Sequence, residues 1–105
     1  MQRIAFIINL KPGADPVEYK RRHDEIWPEL KQLLGDAGIY DYSIFLDEKD
    51  MHLFAVLKLK EVNKRDLLPE HPVMRRWWVY MQDLMYTHSD GRPSEWPLTP
   101  LFHLD

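Results

Sequence analysis

The chain has 105 residues and a mass of 12.7 kDa, so we expect a single domain over residues 1–105 whose modest core would gain from oligomerisation. Hydrophobic residues make up 45% of the sequence and charged residues 30%, which excludes a disordered or fibrous protein. The formal net charge of -3 at pH 7 offers no basic surface for a phosphate backbone, so nucleic acid is not an expected partner.

The sequence contains no cysteine, which excludes disulfides and thiolate sites and predicts a reducing, cytoplasmic compartment. The apolar N-terminal run is too short to span a membrane and lacks a small-residue cleavage site, so no membrane association is expected. Arg3–Leu10 is instead rich in β-branched and aromatic residues and ends at a Lys-Pro-Gly turn. It is predicted to form the first strand.

A helix is predicted to begin at Asp15, an N-cap residue that is followed by proline at the first helical position. The helix should break near Trp27, because Pro28 lacks an amide hydrogen and its ring crowds the preceding turn. Helical structure is expected to resume at Pro28 and to end near Gly35 or Gly38, since glycine readily adopts the left-handed conformation that ends helices.

Two strands joined by a hairpin are predicted next. The polar segment Asp47–Asp50 suits the hairpin loop. On either side of it, one face of each strand carries apolar or aromatic residues at every second position, as expected of a strand that faces a core. These residues are Tyr40, Tyr42, Ile44 and Leu46 in the second strand, and Met51, Leu53, Ala55, Leu57 and Leu59 in the third.

The last third of the chain is predicted to contain a helix and a short final strand, Leu101–Leu104. The resulting βαββαβ order predicts an α+β ferredoxin-like sandwich, in which helices cover one face of an antiparallel sheet. Phe45 and Phe54 lie on the other face, so we expect a second copy to stack there as a homodimer of the dimeric α/β-barrel type. The helix predicted in this part of the chain is indicated by apolar residues at helical spacing, which are Val73, Met74, Trp77, Trp78, Met81 and Met85.

Tyr19 and His23 are the first candidate site residues, because they lie four residues apart on the inward face of the first helix. Histidine titrates near neutral pH and can both donate and accept a proton, so the pair could perform acid–base chemistry. Alternatively, His23 hydrogen-bonds a carbonyl in the core and Tyr19 only packs. Spacing alone favours this structural alternative.

Trp77, Trp78 and Tyr42 are further candidates. Adjacent helical residues point about 100° apart, so one indole can pack inward while the other faces a cleft. An indole in a cleft could pack against the apolar face of a sugar ring. Both indoles could equally fill the core, and the Tyr42 hydroxyl could bind a ligand or simply pack. The basic run Lys20–Arg22 is interpreted as a solvated, salt-bridged helix face rather than a site.

No metal site is predicted, because the remaining histidines lack the spacing and the neighbouring carboxylates typical of zinc or iron ligands. Glycine-rich phosphate loops, dinucleotide fingerprints and the serine-hydrolase motif do not occur in the sequence. The four histidines outside the predicted pair are His52, His71, His88 and His103.

The segment Glu18–Leu30 resembles the helix-one signature of the L-rhamnose mutarotases, which carry a similar Tyr-x-x-x-His followed by Ile-Trp-Pro-Glu-Leu. The resemblance continues through Tyr42–Asp47, Leu53–Ala55 and Arg76–Met85. It therefore extends over most of the chain.

This resemblance implies a dimeric ferredoxin-like fold and a reaction that exchanges the α and β anomers of a 6-deoxy sugar pyranose without a cofactor. It implies that His23 is the proton donor and that the sugar contacts Tyr19, Tyr42, Trp77 and Trp78.

The sequence departs from the family pattern in two segments, Lys60–Pro72 and the tail Trp96–Pro100. If either lines the pocket, the substrate could be another 6-deoxy or related hexose. Two other functions remain open on the same scaffold. One is a small cofactor-independent monooxygenase acting on an aromatic substrate, which an apolar pocket lacking hydroxyl partners would favour. The other is a non-catalytic carbohydrate-binding or regulatory module.

Overall fold

The structure is a computed structural model that describes residues 1–105. One antiparallel sheet has the strand order β2-β3-β1-β4. Helices lie against one of its faces, which confirms the predicted α+β class. The strands are β1 (Gln2–Asn9), β2 (Ile39–Asp47), β3 (His52–Leu59) and β4 (Glu95–Pro97), and the helices are α1 (Pro16–Asp24), α2 (Pro28–Asp36), the 3₁₀ helix α3 (Arg65–Glu70) and α4 (Pro72–Met81).

The predicted interruption of the first helical region is confirmed. The Asp15 carboxylate accepts a hydrogen bond of 2.9 Å from the Val17 amide, which caps α1. Trp27 has an extended backbone and Pro28 begins α2. Gly38 follows α2 with a φ of +91°, and a Cβ there would lie 3.0 Å from the Asn63 side chain, so only glycine fits this turn. None of the helices has the length and apolar character needed to cross a bilayer.

The two faces of the sheet differ in how they are covered. Alternate residues of β3, such as Leu53 and Leu57, are buried under the helices. Phe54 lies on the other face, directly opposite Ile7 in β1 and Phe45 in β2. Phe45 is 63% exposed. The predicted second apolar face is therefore present and is uncovered in the single chain.

The last strand does not lie where the sequence pattern placed it. Residues Leu101–Leu104 have no regular structure and are exposed. The strand is β4, in which Trp96 pairs with Ile7 of β1. Pairing ends soon afterwards, because Pro100 has no amide hydrogen to donate. The prediction was wrong because it relied on apolar composition, which does not specify a pairing partner.

Two further expectations also need correction. A β-bulge lies between Tyr40 and Ser43, and Asp41 has a φ of +49°. The bulge interrupts the alternation, so that Ile39 rather than Tyr40 lies opposite buried Leu59. The fourth helix is shorter than its apolar spacing indicated, because it ends at Met81 and Met85 instead pairs with Leu10 in an isolated bridge.

Candidate active site

A cavity of about 1030 Å³ lies between the helix-covered face of the sheet and the helices. Its volume is near the upper end of the ~300–1,000 Å³ typical of small-molecule pockets. Most of its lining residues are hydrophobic. All five candidate residues from the sequence line this one cavity: Tyr19, His23, Tyr42, Trp77 and Trp78.

Arg22 fixes the helix that carries the candidate pair. Its guanidinium donates hydrogen bonds of 2.8 Å to the Tyr80 carbonyl and 2.7 Å to the Asp83 carboxylate. A third bond of 2.7 Å goes to Glu18 within α1. Arg22 thereby joins α1 to the end of α4, which carries Trp77. The basic run is salt-bridged, as predicted from the sequence.

Aromatic rings enclose the His23 imidazole on two sides. The Tyr19 ring stacks on it with a centroid distance of 4.3 Å and an interplanar angle of 23°. The Trp77 indole meets it edge-on at 5.3 Å and 85°. These contacts limit how the imidazole can rotate, so the ring presents one defined edge to the cavity.

The hydrogen bond made by His23 assigns its tautomer. Its Nδ1 lies 3.1 Å from the Tyr19 carbonyl oxygen, which can only accept a hydrogen bond. We therefore place the proton of the neutral ring on Nδ1, which leaves the lone pair on Nε2. Burial lowers the pKa of His23 below its usual 6.5, against smaller opposing effects of this hydrogen bond and of Asp24. The imidazole is neutral at pH 7.

Both phenols in the cavity wall are held protonated. Burial raises the pKa of Tyr19 above its usual value, and Tyr42 adds to the effect. The pKa of Tyr42 rises to about 12, through burial first and then through the negative charge of Glu95, while Arg65 partly opposes the rise. Tyr42 is 39% accessible, but it lines the cavity, where protein atoms replace much of the bulk water. The two phenols can therefore donate hydrogen bonds throughout the neutral pH range.

The neighbouring tryptophans are buried to different degrees. Trp77 is only 5% exposed and packs edge-on against Trp27 at 5.2 Å. Trp78 is partly buried at the margin of the core and also lines the cavity. This difference follows from the 100° rotation between adjacent helical residues. Trp77 supports His23, and Trp78 offers an apolar surface to a ligand.

Two of the charged residues in the cavity wall, Arg65 and Glu95, were not singled out from the sequence. Arg65 begins α3 and Glu95 begins β4, and the Arg65 Nη2 atom lies 3.4 Å from the Glu95 Oε1 atom. Arg65 lies in the segment Lys60–Pro72, and Glu95 directly precedes Trp96–Pro100. These are the two segments that depart from the family pattern. Because the last strand was predicted at Leu101–Leu104, Glu95 was not expected to lie in the sheet. Its pairing opposite Ile8 is what directs it to the cavity face.

Potential metal ligands converge at one place in the structure, outside the cavity wall. Asp47, Asp50 and His52 bring their ligand atoms within 4.8 Å of one another in the β2–β3 hairpin. Asp47 already accepts a hydrogen bond of 3.1 Å from the Lys49 amide. Asp47 and His52 are half-buried and Asp50 is exposed, and surface acidic groups commonly cluster without an ion, so we assign no metal to them.

Comparison with known proteins gives matches that extend over nearly the whole chain. The model of the L-rhamnose mutarotase family matches residues 3–104. The chain is 57% identical to an L-rhamnose mutarotase from Burkholderia ambifaria over the whole of both sequences. It is 53% identical to one from Jannaschia sp. (strain CCS1), with 99% of each sequence covered. A crystal structure of an L-rhamnose mutarotase from Formosa agariphila superimposes with a TM-score of 0.90, at 39% identity and full coverage of both chains. The resemblance seen in the sequence is thus confirmed, and the chain belongs to the L-rhamnose mutarotase family.

Proposed function

We propose that this protein is an isomerase that interconverts the α- and β-pyranose anomers of L-rhamnose in the cavity lined by His23. The observation that carries the proposal is the neutral His23 ring, whose Nδ1 is held by the Tyr19 carbonyl while Nε2 keeps a free lone pair. Family membership supplies the sugar and the reaction class. The hydroxyl partners in the wall, Tyr19 and Tyr42, favour a sugar over the aromatic substrate of a monooxygenase.

The reaction moves one proton from the anomeric hydroxyl to the ring oxygen. Nε2 of His23 accepts the proton of the hydroxyl on C1 as the bond between C1 and the ring oxygen breaks. The imidazolium then donates this proton to the released oxygen, which gives the open-chain aldehyde. Rotation about the C1–C2 bond presents the other face of the carbonyl, and the same steps in reverse close the ring. One histidine is therefore both base and acid.

The other four residues hold the sugar during this exchange. Tyr19 and Tyr42 stay protonated at neutral pH, because their pKa values are raised, so they act as hydroxyl donors to sugar oxygens. Trp78 packs against the apolar face of the pyranose, and Trp77 keeps the imidazole in place. No separate residue is then needed as a complementary base.

We further propose that the protein is a homodimer formed through the uncovered face of the sheet. Phe45, Phe54 and Trp96 are exposed hydrophobic residues on strands of this one sheet. A second copy stacked on this face would remove them from water, and their burial favours association. The cytoplasmic compartment and the single domain over residues 1–105 stay predictions from composition and length.

Saturation-transfer NMR of L-rhamnose tests the proposed activity directly. The exchange rate between the two anomer signals is measured near pH 7 without protein, with the wild type and with His23→Ala. We expect the wild type to accelerate exchange and the variant to return it to the uncatalysed rate. A panel of other 6-deoxy and related hexoses identifies the preferred sugar. No acceleration with any sugar of the panel would overturn the proposal.

A further inference from the structure

The ion pair between Arg65 and Glu95 has no part in the proton transfer described above. We propose that these two side chains bind two adjacent hydroxyl groups of an uncharged sugar and so determine which sugar the cavity accepts. This inference rests on the proposed function, since it concerns the same cavity and the same reaction.

The fold directs both side chains to the cavity. Glu95 pairs with Ile8, and residues directly opposite each other in an antiparallel pair share a face of the sheet. Ile8 is buried on the helix-covered face, so Glu95 points to that side too. The Arg65 guanidinium lies 5.5 Å from the centre of the Phe6 ring, which also lines the cavity. This cation–π contact holds the guanidinium beside the carboxylate.

The pair is loosely made and leaves most of its hydrogen-bonding capacity unused. The distance of 3.4 Å between Arg65 Nη2 and Glu95 Oε1 is long compared with the ~2.7–2.9 Å of a charge-assisted hydrogen bond. This is the one hydrogen bond that either charged group makes to the protein. A guanidinium carries five N–H donors, and a carboxylate oxygen can accept more than one hydrogen bond. The side chains are 29% and 41% exposed, so a ligand can reach them.

These free groups match the chemistry of a vicinal diol. Adjacent hydroxyls can donate to the Glu95 carboxylate and accept from the Arg65 guanidinium at the same time. The two opposite charges cancel, so the site has no net charge to attract a carboxylate or a phosphate group. Its expected ligand is therefore a neutral sugar rather than a sugar acid or a sugar phosphate.

The ion pair lines the same cavity as the residues proposed to react with the sugar. Tyr42, Arg65 and Glu95 line the same cavity as Tyr19 and His23. The His23 ring stacks on Tyr19. A sugar whose anomeric carbon lies at His23 can extend its more distant hydroxyls towards Arg65 and Glu95.

The test compares Glu95→Gln and Arg65→Met with the wild type in the anomer-exchange assay, at several sugar concentrations. Losing a hydrogen bond to a charged group should raise KM for L-rhamnose about tenfold in each variant, with kcat nearly unchanged. Asp90→Asn is the matched control, because Asp90 also pairs with an arginine, Arg92 at 2.8 Å, but neither residue lines the cavity. Thermal melting shows whether each variant is folded, and Arg65→Met tests the pair should Glu95→Gln fail to fold.

Monodeoxy analogues of L-rhamnose identify the hydroxyls. For two adjacent positions, removing the hydroxyl should raise the wild-type KM about tenfold but change the KM of Glu95→Gln by no more than about twofold, because the contact is already lost. Variants that keep the wild-type KM, or that discriminate among the analogues as the wild type does, would overturn this inference while leaving the mutarotase activity intact. A wild type without activity would instead overturn the proposed function.

Discussion

Two groups of side chains in the cavity wall differ in almost every physical property. His23, Tyr19 and Trp77 are packed ring against ring, and the one titratable base among them is neutral. Arg65 and Glu95 are charged, partly exposed and held by a single long contact. The first group is ordered before a ligand binds, as proton transfer requires, whereas the second retains free donors and acceptors for recognition. We therefore expect changes in the first group to lower kcat and changes in the second to raise KM.

The largest expected effect separates the two groups most clearly. His23→Gln removes the proton carrier, and general acid–base catalysis contributes about 10²–10⁴-fold, so kcat should fall by that factor. Sugar affinity should change much less, which quenching of tryptophan fluorescence can report because Trp77 and Trp78 line the cavity. A variant that loses affinity and keeps kcat would place His23 with the recognition residues and remove the distinction.

A second comparison uses the adjacent tryptophans. Trp77→Ala should lower the free energy of unfolding by about 3–5 kcal/mol, because Trp77 is fully packed in the core. Trp78→Ala removes a partly buried side chain, so its loss of stability should be smaller and its main effect a higher KM. Urea unfolding and anomer-exchange kinetics measure the two quantities. Equal losses of stability would contradict the division between a supporting and a ligand-facing indole.

The uncovered sheet face provides a third test, because Phe54 in the middle of it does not line the cavity. Phe54→Glu places a charge in the middle of this face, opposite Ile7 and Phe45, and should convert the dimer to monomers. Val62→Glu is the control, because Val62 is an exposed apolar residue in a loop. Analytical ultracentrifugation reports the mass of each protein. A wild type that sediments as a monomer would contradict the proposed dimer.

The sequence predicted the parts of the site that depend on local spacing. Tyr19 and His23 share a helical face, and Trp77 and Trp78 are adjacent on one helix, so periodicity alone was enough to place them near the core. Glu95 was missed because its orientation depends on pairing with a strand that lies more than eighty residues away in the chain. Long-range register of this kind is not encoded in local composition.

The smallest effect concerns pH. The pKa of folded His23 lies below 6.5, so the neutral ring persists below that pH and the acid limb of kcat/KM should have its midpoint under 6.5. The same pKa shift affects stability. Below pH 6.5 His23 binds a proton more readily in the unfolded chain than in the folded protein, so its contribution lowers the free energy of unfolding as the pH falls. The free energy of unfolding of His23→Gln, measured by chemical denaturation, should therefore fall less as the pH is lowered. An acid limb centred above pH 6.5 would contradict the desolvated environment.

The proposed mechanism requires a neutral His23 that carries its proton on Nδ1 and offers Nε2 to the sugar. Two-bond ¹H–¹⁵N correlation NMR of histidine-labelled protein at pH 7 measures this directly, and His23→Gln identifies the His23 signals. We expect a neutral ring protonated at Nδ1, with the Nε2 resonance shifting when L-rhamnose is added. A protonated ring, or a neutral ring with its proton on Nε2, would contradict it.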